Sequence, residues 1–257
     1  MTRRRFLPAA ATVAAGAAQM NAQNEAPRVL ELRVVRLRNS ADQQRQRLVD
    51  FLKDATLPAL QRAKLRCGFF QSAIAADAPW VLAVVEYASL AAMESARAAL
   101  TADAAYVKQL AAFNARPGLS YTRIDTSVLR CFSKMPALEP GEPLNAPRVF
   151  ELRTYESNNT ASLRKKIGMF EDGEIAVFRK CGIQPVFFGE TIIGPRQPNL
   201  TYLVSYESLA AREAAWKKFV VDPDWVKMRD TPGFSDAEIV SNISSAILGP
   251  LPFSPVR

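Results

Sequence analysis

The chain repeats itself once, at a spacing near 120 residues, and nothing else in it restricts the fold as tightly. Ala26-Pro27-Arg28-Val29-Leu30-Glu31-Leu32-Arg33 returns 120 residues later as Ala146-Pro147-Arg148-Val149-Phe150-Glu151-Leu152-Arg153. Phe69-Phe70 returns as Phe187-Phe188 at an offset of 118, and Tyr87-Ala88-Ser89-Leu90 as Tyr206-Glu207-Ser208-Leu209 at 119. Asp103, Tyr106, Val107 and Lys108 match Asp222, Trp225, Val226 and Lys227, again at 119. Pro117-Gly118-Leu119 answers Pro232-Gly233-Phe234 at 115. The order holds while the offset drifts, as insertions and deletions in loops would make it. So long a period predicts a duplicated domain rather than a solenoid. The two units are expected at residues 26–132 and 148–257. Between them, residues 133–147 carry Pro136, Pro140, Gly141, Pro143 and Pro147, a composition that predicts an extended linker.

Each unit reads β-α-β-β-α-β. In the second, Val149 to Tyr155 alternates as a strand, and Leu163 to Cys181 has apolar residues near helical spacing with Gly182 as the stop. Pro185 to Ile193 and Leu200 to Tyr206 flank the turn-rich Gly194 to Asn199, which predicts a hairpin. Ser208 caps a helix expected to run to about Arg229, and Glu238 to Leu248 is the last strand. In the first unit, Pro58 is expected to kink or split the first helix, because proline removes a backbone donor. This order is the ferredoxin-like one, a four-stranded antiparallel sheet with both helices on one face. The other face is then bare and apolar. The expected fold class is α+β, two tandem ferredoxin-like domains packing sheet to sheet as a pseudo-dimeric α+β barrel. Pairing of equivalent units between two chains, a homodimer, is the alternative.

Three motifs carry a family resemblance. They are Val-x-Glu-Leu-Arg at Val29 and Val149, Tyr-x-Ser-Leu at Tyr87 and Tyr206, and Asp-x-x-(Tyr/Trp)-Val-Lys at Asp103 and Asp222. Together they resemble NIPSNAP domains, over roughly residues 28–130 and 148–248. The resemblance implies the dimeric α+β barrel fold and binding of a small molecule or a protein partner, with no catalytic residues to carry over. Relatives within that superfamily include cofactor-free monooxygenases and haem-degrading enzymes, the latter usually presenting a histidine to iron.

Histidine is missing altogether. That removes haem with a proximal histidine, His-rich zinc sites and Ser-His-Asp triads, and no metal or cofactor is expected. Chemistry is left to carboxylates, Tyr, Lys, Arg, Cys or Ser. Cys67, Cys131 and Cys181 match no metal-ligand spacing and read as small buried hydrophobes, with a Cys67–Cys181 bridge as the alternative. Alternation puts Glu151, Arg153 and Tyr155 on one face of their strand and Phe150 and Leu152 on the other. Phe150 and Leu152 suit the helix-covered core, so the polar three, and Glu31 and Arg33 in the first unit, are expected to point into the barrel. There they can orient a polar ligand, or pair with cross-strand neighbours and stitch the sheets. Trp225 is expected in the core or as an aromatic wall of the same pocket. The function expected is ligand or partner binding through the barrel. The alternative is a cofactor-free monooxygenase or isomerase acting on a small hydrophobic or phenolic compound.

Residues 1–22 read as an export signal. Arg3-Arg4-Arg5-Phe6-Leu7 precedes an Ala-rich apolar run, an arrangement similar to twin-arginine signals, which predicts a periplasmic or secreted protein exported folded. Removing its three arginines takes the net charge from +8 to +5. That mild excess is spread along the chain without a basic stripe, so no nucleic-acid partner is expected. No apolar run is long enough for a membrane span.

Overall fold

The computed structural model describes residues 26–141 and 146–257. The expected signal peptide, and residues 142–145 of the expected linker, lie outside them.

Eight strands form one closed antiparallel barrel. They are β1 (Val29–Arg36), β2 (Cys67–Ile74), β3 (Trp80–Tyr87), β4 (Arg123–Cys131), β5 (Val149–Glu156), β6 (Gln184–Ile193), β7 (Asn199–Tyr206) and β8 (Asn242–Pro250). Around the ring the order is β1-β3-β2-β8-β5-β7-β6-β4. The run β4-β1-β3-β2 in the first half therefore recurs as β8-β5-β7-β6 in the second. The halves join edge to edge: β2 hydrogen-bonds to β8 and β4 to β6. The two sheets expected to pack face to face thus share one continuous ladder, which leaves no open strand edge.

The barrel interior is apolar and belongs to both halves. Leu30, Leu32, Phe70, Leu82, Val84 and Leu129 meet Phe150, Phe187, Leu203 and Leu248 in one buried cluster. The Phe70 and Phe150 rings sit 4.8 Å apart across the halves. Leu138 and Val256 join the cluster. Outside the ring, each half has its own second core beneath helices. Val35, Phe69, Val81 and Val85 pack against Leu48, Leu52, Leu60 and Phe113. Tyr155, Phe188, Tyr202 and Val204 pack against Leu163, Phe170, Phe178, Phe219 and Trp225. The adjacent phenylalanines of each repeat thus serve opposite faces of one strand, as two-residue periodicity requires.

The helices in chain order are α1 (Gln44–Phe51), α2 (Leu57–Arg62), α3 (Leu90–Ala102), α4 (Ala104–Ala115), α5 (Thr160–Met169), α6 (Ile175–Cys181), α7 (Leu209–Phe219), α8 (Pro223–Arg229) and α9 (Asp236–Ile239). The repeated Tyr-x-Ser-Leu marks a helix start: the Ser89 and Ser208 hydroxyls accept from the backbone N–H groups of Ala92 and Ala211. Pro58 does not break its helix. A π-helical turn at Leu52–Thr56 joins α1 to α2, and Pro58 falls in the first turn of α2, where a missing N–H costs little. The same turn recurs at Phe170–Glu174 without a proline, so proline is not its cause. The helix expected from Ser208 to Arg229 is two, divided where Asp222 caps α8 ahead of Pro223. Glu238, expected in the last strand, lies in α9.

Residues 133–141 run pinned across the junction of the halves. Met135 and Leu138 are buried, the Arg28 N–H donates to Pro136 O, and the Glu139 N–H donates to Val186 O. All three cysteines are free and buried. Burial pushes the Cys67 thiol up to about 11 and the Cys131 thiol up to about 12, which keeps both protonated near neutral pH.

Candidate functional site

Glu31, Arg33, Glu151, Arg153 and Tyr155 do not point into the barrel. They occupy the helix-covered face of β1 and β5, while Leu30, Leu32, Phe150 and Leu152 line the interior. The expected parity was right and the expected face was reversed. The reason is the partners that the helices supply. Glu151 is fully buried and accepts six hydrogen bonds: two from Arg212 at 2.7 Å, and one each from Arg153, Trp216, Tyr206 and Ser245. Burial alone would raise its carboxyl, but Arg212 and Arg153 outweigh that and hold it at about 2. Each oxygen takes three of those bonds, so none of Glu151's accepting capacity is left for a ligand.

From Glu151 the network runs inward. Arg153 donates to the Tyr155 hydroxyl at 3.2 Å, and the Tyr202 hydroxyl donates to Tyr155 at 3.1 Å. The Arg153 guanidinium also lies 4.8 Å from the Trp216 ring centre. Beside it, buried Lys166 bonds Glu174 at 3.2 Å and Asp236 at 3.1 Å. Its ammonium sits 5.0 Å from the rings of both Phe170 and Trp225 and 5.5 Å from Tyr155. Trp225 is therefore a wall of this lysine's cage and not of a ligand pocket. Burial pushes Glu174 up to about 7. Burial pulls Lys166 down, but Glu174 and Asp236 overcome it and leave the ammonium charged.

The first half holds a reduced version. Glu31 accepts from the Tyr87 hydroxyl at 3.0 Å and from Arg97 at 2.6 Å, and Arg33 stands 3.9 Å away. Val35 and Ala83 occupy the places of Tyr155 and Tyr202 in the strand register. Leu48 and Thr56 stand where Lys166 and Glu174 do relative to the π-helical turn. The two halves are chemically unequal.

A cavity of about 450 Å³ opens elsewhere, at one mouth of the barrel. Leu32, Val34, Leu152 and Ala246 line it on the apolar side. Trp80, Arg36, Asp77, Asp125, Ser127, Thr154, Asn199, Thr201, Arg196 and Ser244 are among the residues of the remaining wall and rim. The Thr154 and Thr201 hydroxyls are 2.9 Å apart, on neighbouring strands in direct register. Arg36 pairs with Asp125 at 2.9 Å and lies 3.8 Å from Asp77. Arg196 bonds Ser244 at 3.1 Å and approaches Glu156 at 3.7 Å. Asn199 is fully engaged: its carbonyl accepts from Thr191 and its amide donates to Pro195 O and Arg196 O. A volume of this order is ordinary for small-molecule sites. None of the residues expected to bind a ligand reaches it. Its residues alternate with the expected ones along β1 and β5, so the signal was in the strand period but attached to the wrong face. Among the described residues, no group of three or more Cys, Asp or Glu side chains is placed to hold a metal ion, and no helix is long and apolar enough to cross a membrane.

A single antiparallel α+β barrel with helices outside and a cavity at one mouth defines the class. Within it, residues 150–255 match the NIPSNAP family model. A search of curated proteins found no match. Among solved structures, a candidate monooxygenase from Lactobacillus acidophilus is similar with a TM-score of 0.57 at 12% identity, over 86% of this chain and 93% of that one. An anthrone oxidase-like protein is similar with a TM-score of 0.52 at 11% identity, over 90% and 93%. A NIPSNAP-family protein of unknown function from Agrobacterium tumefaciens aligns with 44% of this chain and 97% of its own, at 21% identity and a TM-score of 0.39. The first two likenesses establish the fold.

Proposed function

We propose that this chain is a NIPSNAP protein that binds a small molecule in the mouth of its α+β barrel. The observation that carries the reading is the cavity of about 450 Å³, which has an apolar side continuous with the barrel core and a polar rim. Both halves contribute to it: Leu32, Arg36 and Trp80 from one, Leu152, Thr154 and Thr201 from the other. On this reading the chain is two tandem ferredoxin-like units, near residues 26–132 and 148–257, fused so that each supplies half of one site. The recurring strand order and the repeated motifs support that division. Residues 1–22 would direct export to the periplasm, a reading that rests on the sequence.

A fragment panel spanning charge and size, followed by thermal shift, tests the reading. At least one member should stabilise the protein saturably, and Ala246→Leu, which fills the cavity from β8, should weaken it. Leu152→Met, nearly volume-conserving, should leave binding in place. Stabilisation that Ala246→Leu leaves untouched would place the ligand elsewhere, and a silent panel would remove the reading.

A cofactor-free oxygenase or isomerase is the alternative, favoured by the oxidations for which two similar structures are named. It would have to draw on the mouth, where Asp77 and Asp125 are the carboxylates, because Glu151, Arg153 and Tyr155 face away.

A further inference from the structure

We infer that the barrel mouth selects an uncharged amphiphile, taken apolar end first; this inference rests on the small-molecule reading above. Depth and rim differ in chemistry. The interior cluster of Phe70, Phe150, Phe187 and Leu203 fills the barrel, and Leu32, Leu152 and Ala246 carry its apolar surface into the cavity. A ligand that passes the rim meets hydrocarbon at depth, where burial of its own apolar surface is favourable.

The rim decides the charge. A site built for an anion would offer a guanidinium with no carboxylate beside it, and a site for a cation a carboxylate with no guanidinium beside it. Neither is present at this mouth. Arg36 is held by Asp125 at 2.9 Å with Asp77 at 3.8 Å, and Asp125 is also bonded by Arg123 at 3.2 Å. Arg196 bonds Ser244 and has Glu156 as its counter-charge at 3.7 Å. Each charge at the rim is therefore already answered by another. An incoming carboxylate or ammonium would shed part of its water and gain no free counter-charge, which places it behind an uncharged head group.

What the wall does offer is neutral. In the Thr154–Thr201 pair, the mutual bond uses one of two hydroxyl hydrogens, which leaves one donor and spare lone pairs beside the cavity. Ser127 adds another hydroxyl to the lining. The Asn199 amide is excluded from the list because its bonds to Thr191, Pro195 and Arg196 consume it. Hydroxyls can serve an alcohol, an ester or an amide equally.

Hexan-1-ol, hexanoate and hexylammonium each carry one alkyl chain and differ in charge at one end, so their ranking by calorimetry isolates the rim. Hexan-1-ol should bind about tenfold or more tightly than either ion. The double variant Asp77→Asn, Asp125→Asn frees Arg36 and should turn the ranking towards hexanoate, while the fold, checked by circular dichroism, is kept. Hexanoate or hexylammonium binding as well as the alcohol in the unmodified protein overturns the inference. So does a ranking that the double variant leaves unchanged. If none of the three binds although members of the fragment panel do, the amphiphile class is wrong and the site stands. If the panel is silent too, the site itself fails.

Discussion

Arg212 of α7 grips Glu151 of β5 with two hydrogen bonds of 2.7 Å, Nε to one carboxylate oxygen and Nη2 to the other. The pair ties the outer helix layer to the barrel wall, with the carboxylate fully shielded from water and the guanidinium about a quarter exposed. Removing Glu151 strips the carboxylate from two guanidiniums, the largely buried Arg153 and the partly exposed Arg212. Glu151→Ala should therefore lose about 3–5 kcal/mol in urea unfolding. Glu31→Ala should lose clearly less, because its arginine, Arg97, is about half exposed and can return to water.

The same carboxylate sets an acid limit. Its folded-state value, about 2, lies below the ordinary range for glutamate, so Glu151 binds protons less readily in the native protein than in the unfolded one. Its contribution is complete above the ordinary carboxylate value and is lost as pH falls towards 2. Glu151→Gln should flatten the loss of stability between about pH 4.5 and 2, read as melting temperature against pH.

Glu174 titrates with the opposite sign. Burial raises it from 4.5 to about 7, so the native state holds its proton more tightly than the unfolded state does. Its contribution is full below 4.5 and disappears as pH rises through 7. Glu174→Gln keeps a neutral side chain of the same shape. It should remove a downward slope of up to one proton in the stability profile between those limits.

Gly189 lies at the β4–β6 seam, where a Cβ would come within 2.9 Å of the Leu129 Cβ and 3.1 Å of the Arg130 carbonyl oxygen. Neither neighbour is the free end of a flexible chain. Gly189→Ala should cost about 1–3 kcal/mol by forcing the seam apart. Hydrogen exchange should show the loss of protection starting at the amides of residues 128–131 and 189–193.

Phe70 and Phe150 meet inside the barrel from different halves. Truncating either to alanine should cost about 3–5 kcal/mol. A double-mutant cycle between them should return a coupling of about 0.5–1.5 kcal/mol, and its absence would mean that the halves unfold separately.

The element order could be read from the sequence because the repeated motifs are caps and turns, which act locally. Ser89 and Ser208 perform at their helix starts the role that their spacing announced. The orientation of the strands was not readable in the same way. Alternation says which residues share a face, but here both faces are buried: all eight residues of β3 and all eight of β7 are inaccessible. Polarity then suggested that Glu151 and Arg153 faced a wet interior. Their real partners, Arg212 and Trp216, lie some sixty residues away on the outer helix α7, and no local pattern connects them. The break before α8 had a local signal, the cap Asp222 followed by a first-turn proline, which the single helix expected from Ser208 to Arg229 passed over. The mouth cavity escaped notice because it is lined by ordinary residues, Leu32, Leu152 and Thr154, whose meeting depends on ring closure.

A ring assembled from two identical subunits must accept every substitution twice, once at each symmetry-related position. Here one chain supplies both arcs, so a residue answers only for its own place. That freedom lets the C-terminal arc bury a lysine, a glutamate and two phenols where the N-terminal arc keeps leucine, threonine, valine and alanine. It also lets the mouth cavity take unlike walls from its two sides, Arg36 and Trp80 facing Thr154 and Thr201.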